Sequence, residues 1–213
     1  MPATNAVGST TRQHDLFGSL PMVVDHTFAS RRRIDLDDTS WVDVVPGWFT
    51  GSDSLLDALI DSAPWEQRDR WMYERMVDEP RLTAEYKDIV TAPHDMLRVA
   101  ASALSSHYGV PYDGLWMNLY RDHRDSTSWH GDRPSCQREL CIVPVLTLGA
   151  QRRFLLKPRA VGPSVRLAPA SGDVVVMGGR CQRDWQHAVP KLATPCGLRV
   201  SVNFQSSWQA IPD

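Results

Sequence analysis

His130-Gly131-Asp132, answered much later by His187 and then Arg199, constrains this chain more than any other feature. Side chains along extended backbone repeat with period two, so His130 and Asp132 project to the same side of a strand. Two donors do not close a metal site, and a distant His has to return to the pair. Two imidazoles and one carboxylate leave adjacent coordination positions open, a donor set suited to ferrous iron. A fold that satisfies this must set a late strand carrying His187 against the strand end carrying His130 and Asp132. By itself H-x-D is a weak signal in a chain with seven His, so the reading rests on its surroundings.

Those surroundings change character part-way along the chain. Leu55, Leu56, Leu59 and Ile60 give a helical stripe over Ser54 to Ser62 that Pro64 stops. Leu97, Ala100, Ala101 and Leu104 share a face from Pro93 to Tyr108, with Pro93 suited to the first turn and Gly109 to the end. From Leu115 onward short apolar and β-branched runs take over: Leu115 to Tyr120, Leu140 to Leu148, Phe154 to Lys157, Asp173 to Met177 and Arg199 to Phe204. Trp185-Gln186-His187 follows Gly178-Gly179, so the chain can turn there and bring His187 inward. Helices first and many short strands afterwards predict an α+β fold, a two-layer antiparallel barrel or jelly roll with the N-terminal helices packed outside. Residues 1–20 read as a flexible tail and 21–213 as a single domain with its β core at 115–205. Residues 64–91 hold Trp65, Trp71, Tyr73, Met76 and Tyr86 among charges without a clean period, and read as a partly exposed arm or lid.

At 213 residues and 24.0 kDa the chain can bury one full core. A net charge of -2 advertises no polyanion partner for the molecule as a whole. The arginine clusters, at 31–33, Arg121 with Arg124, Arg152-Arg153, and Arg180 with Arg183, each read as a solvated face. Four cysteines, Cys136, Cys141, Cys181 and Cys196, lack C-x-x-C spacing, which argues against a zinc ribbon and for free thiols in a reducing compartment. No apolar run approaches the roughly 20 residues that span a bilayer, and the N-terminus is not signal-like, so no membrane partner and a cytoplasmic location are expected.

Arg199 lies in an alternating strand. A strand arginine facing a buried metal site needs an anion to pair with, and the distal carboxylate of 2-oxoglutarate is one. Asn118 and Tyr120, two apart, share a face and can reach the same ligand.

Several blocks then coincide in order. Asn118-Leu119-Tyr120-Arg121-Asp122 with Asp125, Trp129-His130-Gly131-Asp132, and Leu146-Thr147-Leu148-Gly149 with Phe154-Leu155-Leu156 resemble the AlkB family of Fe(II)/2-oxoglutarate dioxygenases. So do Ser171-Gly172-Asp173-Val174-Val175-Val176-Met177, the run from Trp185 to Lys191, and Arg199, over about Pro80 to Gln205 in all. The resemblance implies a double-stranded β-helix core and a catalytic iron held by His130, Asp132 and His187. Arg199 becomes the partner of the distal carboxylate, with Asn118, Tyr120 and Ser201 as further cosubstrate contacts. It implies Fe(II), 2-oxoglutarate and O2, with the keto acid converted to succinate while an N-methyl carbon is hydroxylated and lost as formaldehyde. A base inside a duplex cannot reach a buried metal, so the implied partner is alkylated DNA or RNA, single-stranded or with its base flipped out, and a monomer is expected. The block from Pro80 to Tyr86 resembles the start of the nucleotide-recognition lid of repair members. It makes Arg81 a substrate contact and Tyr86, with Trp71, a candidate ring for stacking on the base.

The chain also departs from that family. Gln205 stands where a second Arg usually follows the first by six residues, and it brings an amide without charge. Arg133-Pro134 replaces acidic residues after H-x-D; Arg133 is then a substrate-side cation, unfavourable beside a cationic base. No further aromatic follows Tyr86 through Thr91, and His123 occupies a turn position where a small residue is expected. The competing readings are an oxygenase acting on a protein side chain or small molecule, a non-catalytic binding module, and a structural zinc site. The last gives no reason for Asn118, Tyr120 and Arg199 to converge.

Overall fold

The computed structural model describes the backbone of residues 20–72, 75–132 and 135–213, with side chains for all of these but 70–72 and 75. The expected tail at 1–19, Arg133, Pro134 and the side chain of Trp71 lie outside the described residues. In chain order the elements are β1 Val23–Val24, β2 Arg32–Asp35, β3 Ser40–Val45, β4 Phe49–Thr50, α1 Ser52–Ser62, β5 Glu66–Met72, β6 Arg75–Tyr86 and α2 Asp95–Tyr108. They continue as β7 Gly114–Tyr120, β8 Thr127–His130, β9 Cys141–Gly149, β10 Phe154–Pro158, β11 Val165–Leu167, β12 Val174–Gly179, α3 Cys181–Asp184, β13 Trp185–Val189 and β14 Arg199–Gln205. A large sheet runs β2-β3-β12-β9-β14-β7-β6-β5 and a small one β11-β10-β13-β8, antiparallel throughout; β1 pairs with β4.

Strand parity explains where everything else goes. On the large sheet Leu115, Met117 and Leu119 of β7, Leu146 and Leu148 of β9, Val174 and Val176 of β12, and Val200, Val202 and Phe204 of β14 turn to one face. There they pack on Leu55, Leu56 and Leu59 of α1 and Leu97, Ala100, Ala101 and Leu104 of α2, all in one cluster. Full burial of each such leucine stabilises by about 1.5–3 kcal/mol. The opposite face meets the small sheet: Val143 and Val145, Val175 and Met177 cluster with Phe154, Leu156, Trp185 and Val189. The continuous apolar run of β12 is thus a strand buried on both faces.

Both expected helices form, α1 starting two residues before Ser54 and α2 two residues after Pro93. Gly109 closes α2 in the left-handed region at φ 68°, as expected of a glycine there. Pro93 is not in the first turn; His94 is the N-cap, its Nδ1 accepting from Met96 N at 3.1 Å. Residues 64–91 hold the hairpin β5–β6, which extends the large sheet through β6 pairing with β7. Its charged sequence hid the alternation, because one face is wet.

Two readings are overturned. Cys136 and Cys141 are joined in a disulfide with their Cα atoms 6.0 Å apart, leaving Cys181 and Cys196 free. Arg152 does not lie on a solvated face: it is 1% exposed, while Arg153 beside it is exposed. Elsewhere the clusters are paired, Arg31 and Arg33 with buried Asp43, Arg121 with Asp125, and Arg180 with Asp184 and Glu139.

Candidate active site

Strands β8 and β13 pair with His130 opposite His187, which brings the two imidazoles together from residues far apart in the chain. Their ring centres are 4.2 Å apart. His130 Nε2 lies 3.4 Å from one oxygen of Asp132 and His187 Nε2 lies 3.5 Å from the other. One donor atom from each of the three residues fits within 4.8 Å of the other two. The remaining imidazole nitrogen of His130, Nδ1, faces the Ser128 carbonyl at 2.8 Å, an outer contact that turns Nε2 toward the carboxylate. Phe154 stacks on His187 at 5.3 Å between centres. Asp132 is held from behind, its backbone N donating to Gln182 Oε1 at 2.8 Å. Gln182 also explains why the middle residue is Gly131: a Cβ there would lie 2.6 Å from the Gln182 carbonyl oxygen.

The titration pattern follows from this crowding. Burial pushes His187 down to about 4, more than the nearby Asp132 charge restores. Burial also pulls His130 down, but its hydrogen bond and charge interaction with Asp132 outweigh that and leave it above its ordinary value. Burial alone would raise Asp132, and His187 and His130 together bring it below the usual carboxylate range. Asp132 Oδ2 is buried without a hydrogen-bond partner. An imidazole that burial keeps neutral, a second one beside it and a carboxylate with an orphaned buried oxygen fit a divalent cation, and the nitrogen-oxygen donor set fits ferrous iron.

A cavity of about 690 Å³ opens from these residues. β14 and β7 line it by the faces turned from the helices: Arg199, Ser201, Asn203 and Gln205, opposite Tyr120, Asn118 and Trp116. Arg199 is 1% exposed and donates from Nη2 to Thr147 Oγ1 at 3.2 Å, while its Nε and Nη1 have no partner. A buried guanidinium with free donors calls for an anion. Asn118 is heavily engaged: its Oδ1 accepts from Arg81 Nε at 2.9 Å and Trp116 Nε1 at 3.1 Å, and its Nδ2 donates to Ser201 Oγ at 3.3 Å. The Tyr120 hydroxyl shares a 2.7 Å hydrogen bond with Thr127 Oγ1. Gln205 Nε2 donates to Ser135 Oγ at 2.8 Å.

The described residues thus bring His130, Asp132, His187, Asn118, Tyr120, Arg199, Ser201 and Arg81 to one cavity. Tyr86 is not among its lining residues. It stands on the other face of β6 from Arg81 and Glu85, packed against the core, because residue 86 has the parity of Leu82 and Ala84. His123 is half-buried in its turn, and its carbonyl accepts from Leu192 N. The aromatic wall that sequence reasoning missed is Trp116, with Arg68 lying 4.4 Å over its ring and paired to Glu85 at 3.2 Å. Parity would have found it, two residues before Asn118, as it would have found Asn203 two after Ser201. Gln182 carries no such signal.

The 2OG-Fe(II) oxygenase superfamily matches residues 52–204, the span that contains every one of the cavity-lining metal donors. The chain belongs to that superfamily. Its relatives include AlkB homologues: the alpha-ketoglutarate-dependent dioxygenase alkB homolog 3 of Homo sapiens is 28% identical over 210 residues, covering 88% of this chain and 73% of the relative. The DNA oxidative demethylase ALKBH2 of Arabidopsis thaliana is 27% identical over 120 residues, covering 46% of this chain and 38% of its own. In fold the chain is similar to a prolyl hydroxylase from Trichoplax adhaerens solved with a hypoxia inducible factor peptide, at TM-score 0.57 and 11% identity over 79% of this chain and 85% of that one. This oxygenase is therefore an enzyme that uses Fe(II), 2-oxoglutarate and O2.

Proposed function

We propose that this oxygenase removes N-alkyl groups from bases of DNA or RNA, presented single-stranded or flipped out of a duplex. The observation that carries the reading is the cavity: at about 690 Å³ it has room for a keto acid beside one base, and a base held in a duplex stack cannot reach the metal donors that line it. The names of its relatives, one of them a DNA oxidative demethylase, support the same substrate class. We read the two sheets as a jelly roll with α1 and α2 as its outer layer, residues 21–213 as one domain, and the β5–β6 hairpin as the substrate lid.

His130, Asp132 and His187 hold the metal in this reading. With 2-oxoglutarate and O2, bound iron supplies oxidation of a C–H bond, and a hydroxylated N-methyl group leaves as formaldehyde. The rest is work for the protein. Arg199 takes the distal carboxylate with its free Nε and Nη1, and Ser201, Tyr120 and Asn118 set the keto acid's orientation. Trp116 offers a flat apolar wall to the base, and Arg81, held by Asn118 and by Glu79 at 2.8 Å, stands beside it. The buried setting keeps water from the reacting carbon.

The test is release of formaldehyde from defined methylated single-stranded oligonucleotides, measured beside succinate. Product should carry one methyl group fewer by mass, and His130→Ala should abolish both signals. Succinate formation that no methylated oligonucleotide stimulates would overturn the substrate class. A second reading, a protein side chain or small molecule as substrate, is favoured by Arg133-Pro134 in place of an acid after Asp132. It predicts that unstimulated outcome.

A further inference from the structure

Arg152 lies in the turn between β9 and β10 and is buried, yet it does not line the cavity. Its guanidinium donates to three backbone carbonyl oxygens: Asp122 at 3.0 Å, Asp125 at 2.9 Å and Pro190 at 2.7 Å. The first two belong to the loop from β7, which bears Asn118 and Tyr120, to β8, which bears His130. The third directly follows β13, which bears His187. Among the described residues no carboxylate pairs with Arg152 or with Arg199, and Arg152 Nε has no partner. Both guanidiniums approach one ring: Arg199 lies 5.1 Å and Arg152 5.7 Å from the centre of Tyr120. Two buried positive charges without a counter-charge are costly unless something anionic arrives between the strands they serve. Burial first, and then the charge of Arg152, hold the Arg199 guanidinium below its ordinary pKa.

We propose that Arg152 is a positioning residue for the keto acid, locking the loops that carry Tyr120, His130 and His187 and adding, behind Tyr120, a second buried positive charge that favours an acid with a distal carboxylate. This rests on the reading that Arg199 takes that carboxylate.

The test uses the full chain loaded with Mn(II) and calorimetric titration of two acids, 2-oxoglutarate and 2-oxopentanoate, which have the same carbon chain but differ in the distal charge. Arg152→Gln should weaken 2-oxoglutarate by about tenfold, the scale of a unit charge acting across roughly 10 Å of protein, and 2-oxopentanoate by less than about twofold. Arg152→Lys, which keeps the charge, should restore most of the affinity. Equal weakening of both acids would reduce Arg152 to a loop clamp and overturn the proposal, as would no weakening of either. If Arg152→Gln does not fold, Arg152→Lys decides: near-native 2-oxoglutarate affinity supports the charge, and a tenfold loss overturns it. Arg199→Gln separates the two ideas, since unchanged 2-oxoglutarate affinity there sinks the underlying reading itself.

Discussion

Gly131 is the residue on which the metal site turns most finely. Its Cα faces the Gln182 carbonyl, and the Gln182 side chain holds Asp132 N, so one residue of α3 fixes both the spacing and the direction of the carboxylate. Gly131→Ala should force the two apart by some tenths of an ångström and weaken Mn(II) binding by about tenfold, with the far-ultraviolet spectrum unchanged. His130 sets the pH dependence. Its Nδ1 faces a carbonyl, so the proton it gains on acidification goes to Nε2, the atom turned toward Asp132. Because its pKa is raised while His187 is down at about 4, His130 is the imidazole that protonates first. Metal affinity, followed by calorimetry with Mn(II), should fall by about tenfold per unit as pH drops below the raised His130 value. An affinity flat from about pH 8 to 5 would contradict that assignment.

At the scale of elements, two-residue alternation does the sorting. β7 sends Leu115, Met117 and Leu119 to the helices and Trp116, Asn118 and Tyr120 to the cavity, so neighbouring substitutions should have separate consequences. Leu56→Ala on α1 removes a fully buried side chain and should cost about 2–5 kcal/mol in denaturant unfolding, without changing metal affinity of the folded fraction. Trp116→Ala should cost less stability. It should raise KM for a methylated oligonucleotide by more than it changes succinate formation without substrate, if the indole is the wall against which a base stacks. The alternation was legible where strands are buried: β7, β9, β12 and β14 read off the sequence nearly to their ends. It was not legible in β5 and β6, whose charged, half-wet residues carry little periodic signal, so only the resemblance spoke for Tyr86 as a stacking ring, and the structure packs it against the core. Of the candidate site, the motif residues were readable because their chemistry demands particular side chains; Trp116 was open to parity alone, two residues before Asn118, and Gln182 was not readable, because a glutamine has many other uses.

For the molecule as a whole, acid should be the weak side. Burial would raise Asp43, but its hydrogen bonds to Arg33 and Arg31 hold it below the ordinary 3.8. Asp37, despite some burial, is lowered to about 2, chiefly by the Trp185 indole N–H. Carboxyls depressed on folding contribute stability above their unfolded values and lose it as pH falls through the folded ones. The Tm should therefore start to decline below about pH 6.5, where buried His187 stays neutral in the fold but gains a proton once unfolded, and decline further between about 4 and 2 as these carboxyls protonate; Asp43→Asn should flatten that lower part while lowering the plateau. Asp43 joins β3 to the arginines of the first strands and to the Tyr108 hydroxyl at 3.1 Å, so its loss loosens the join between α2 and the large sheet.

The sequence by itself determined the chemistry: which residues could bind iron, which arginine could meet a dicarboxylate, and that short antiparallel strands had to bring them together. Those are properties of side-chain type and local period, and they survive without knowledge of neighbours. Only the tertiary structure decided what surrounds them. Whether Arg152 is wet or buried, whether Tyr86 faces substrate or core, and which two cysteines meet depend on contacts between residues distant in the chain, which no local pattern encodes.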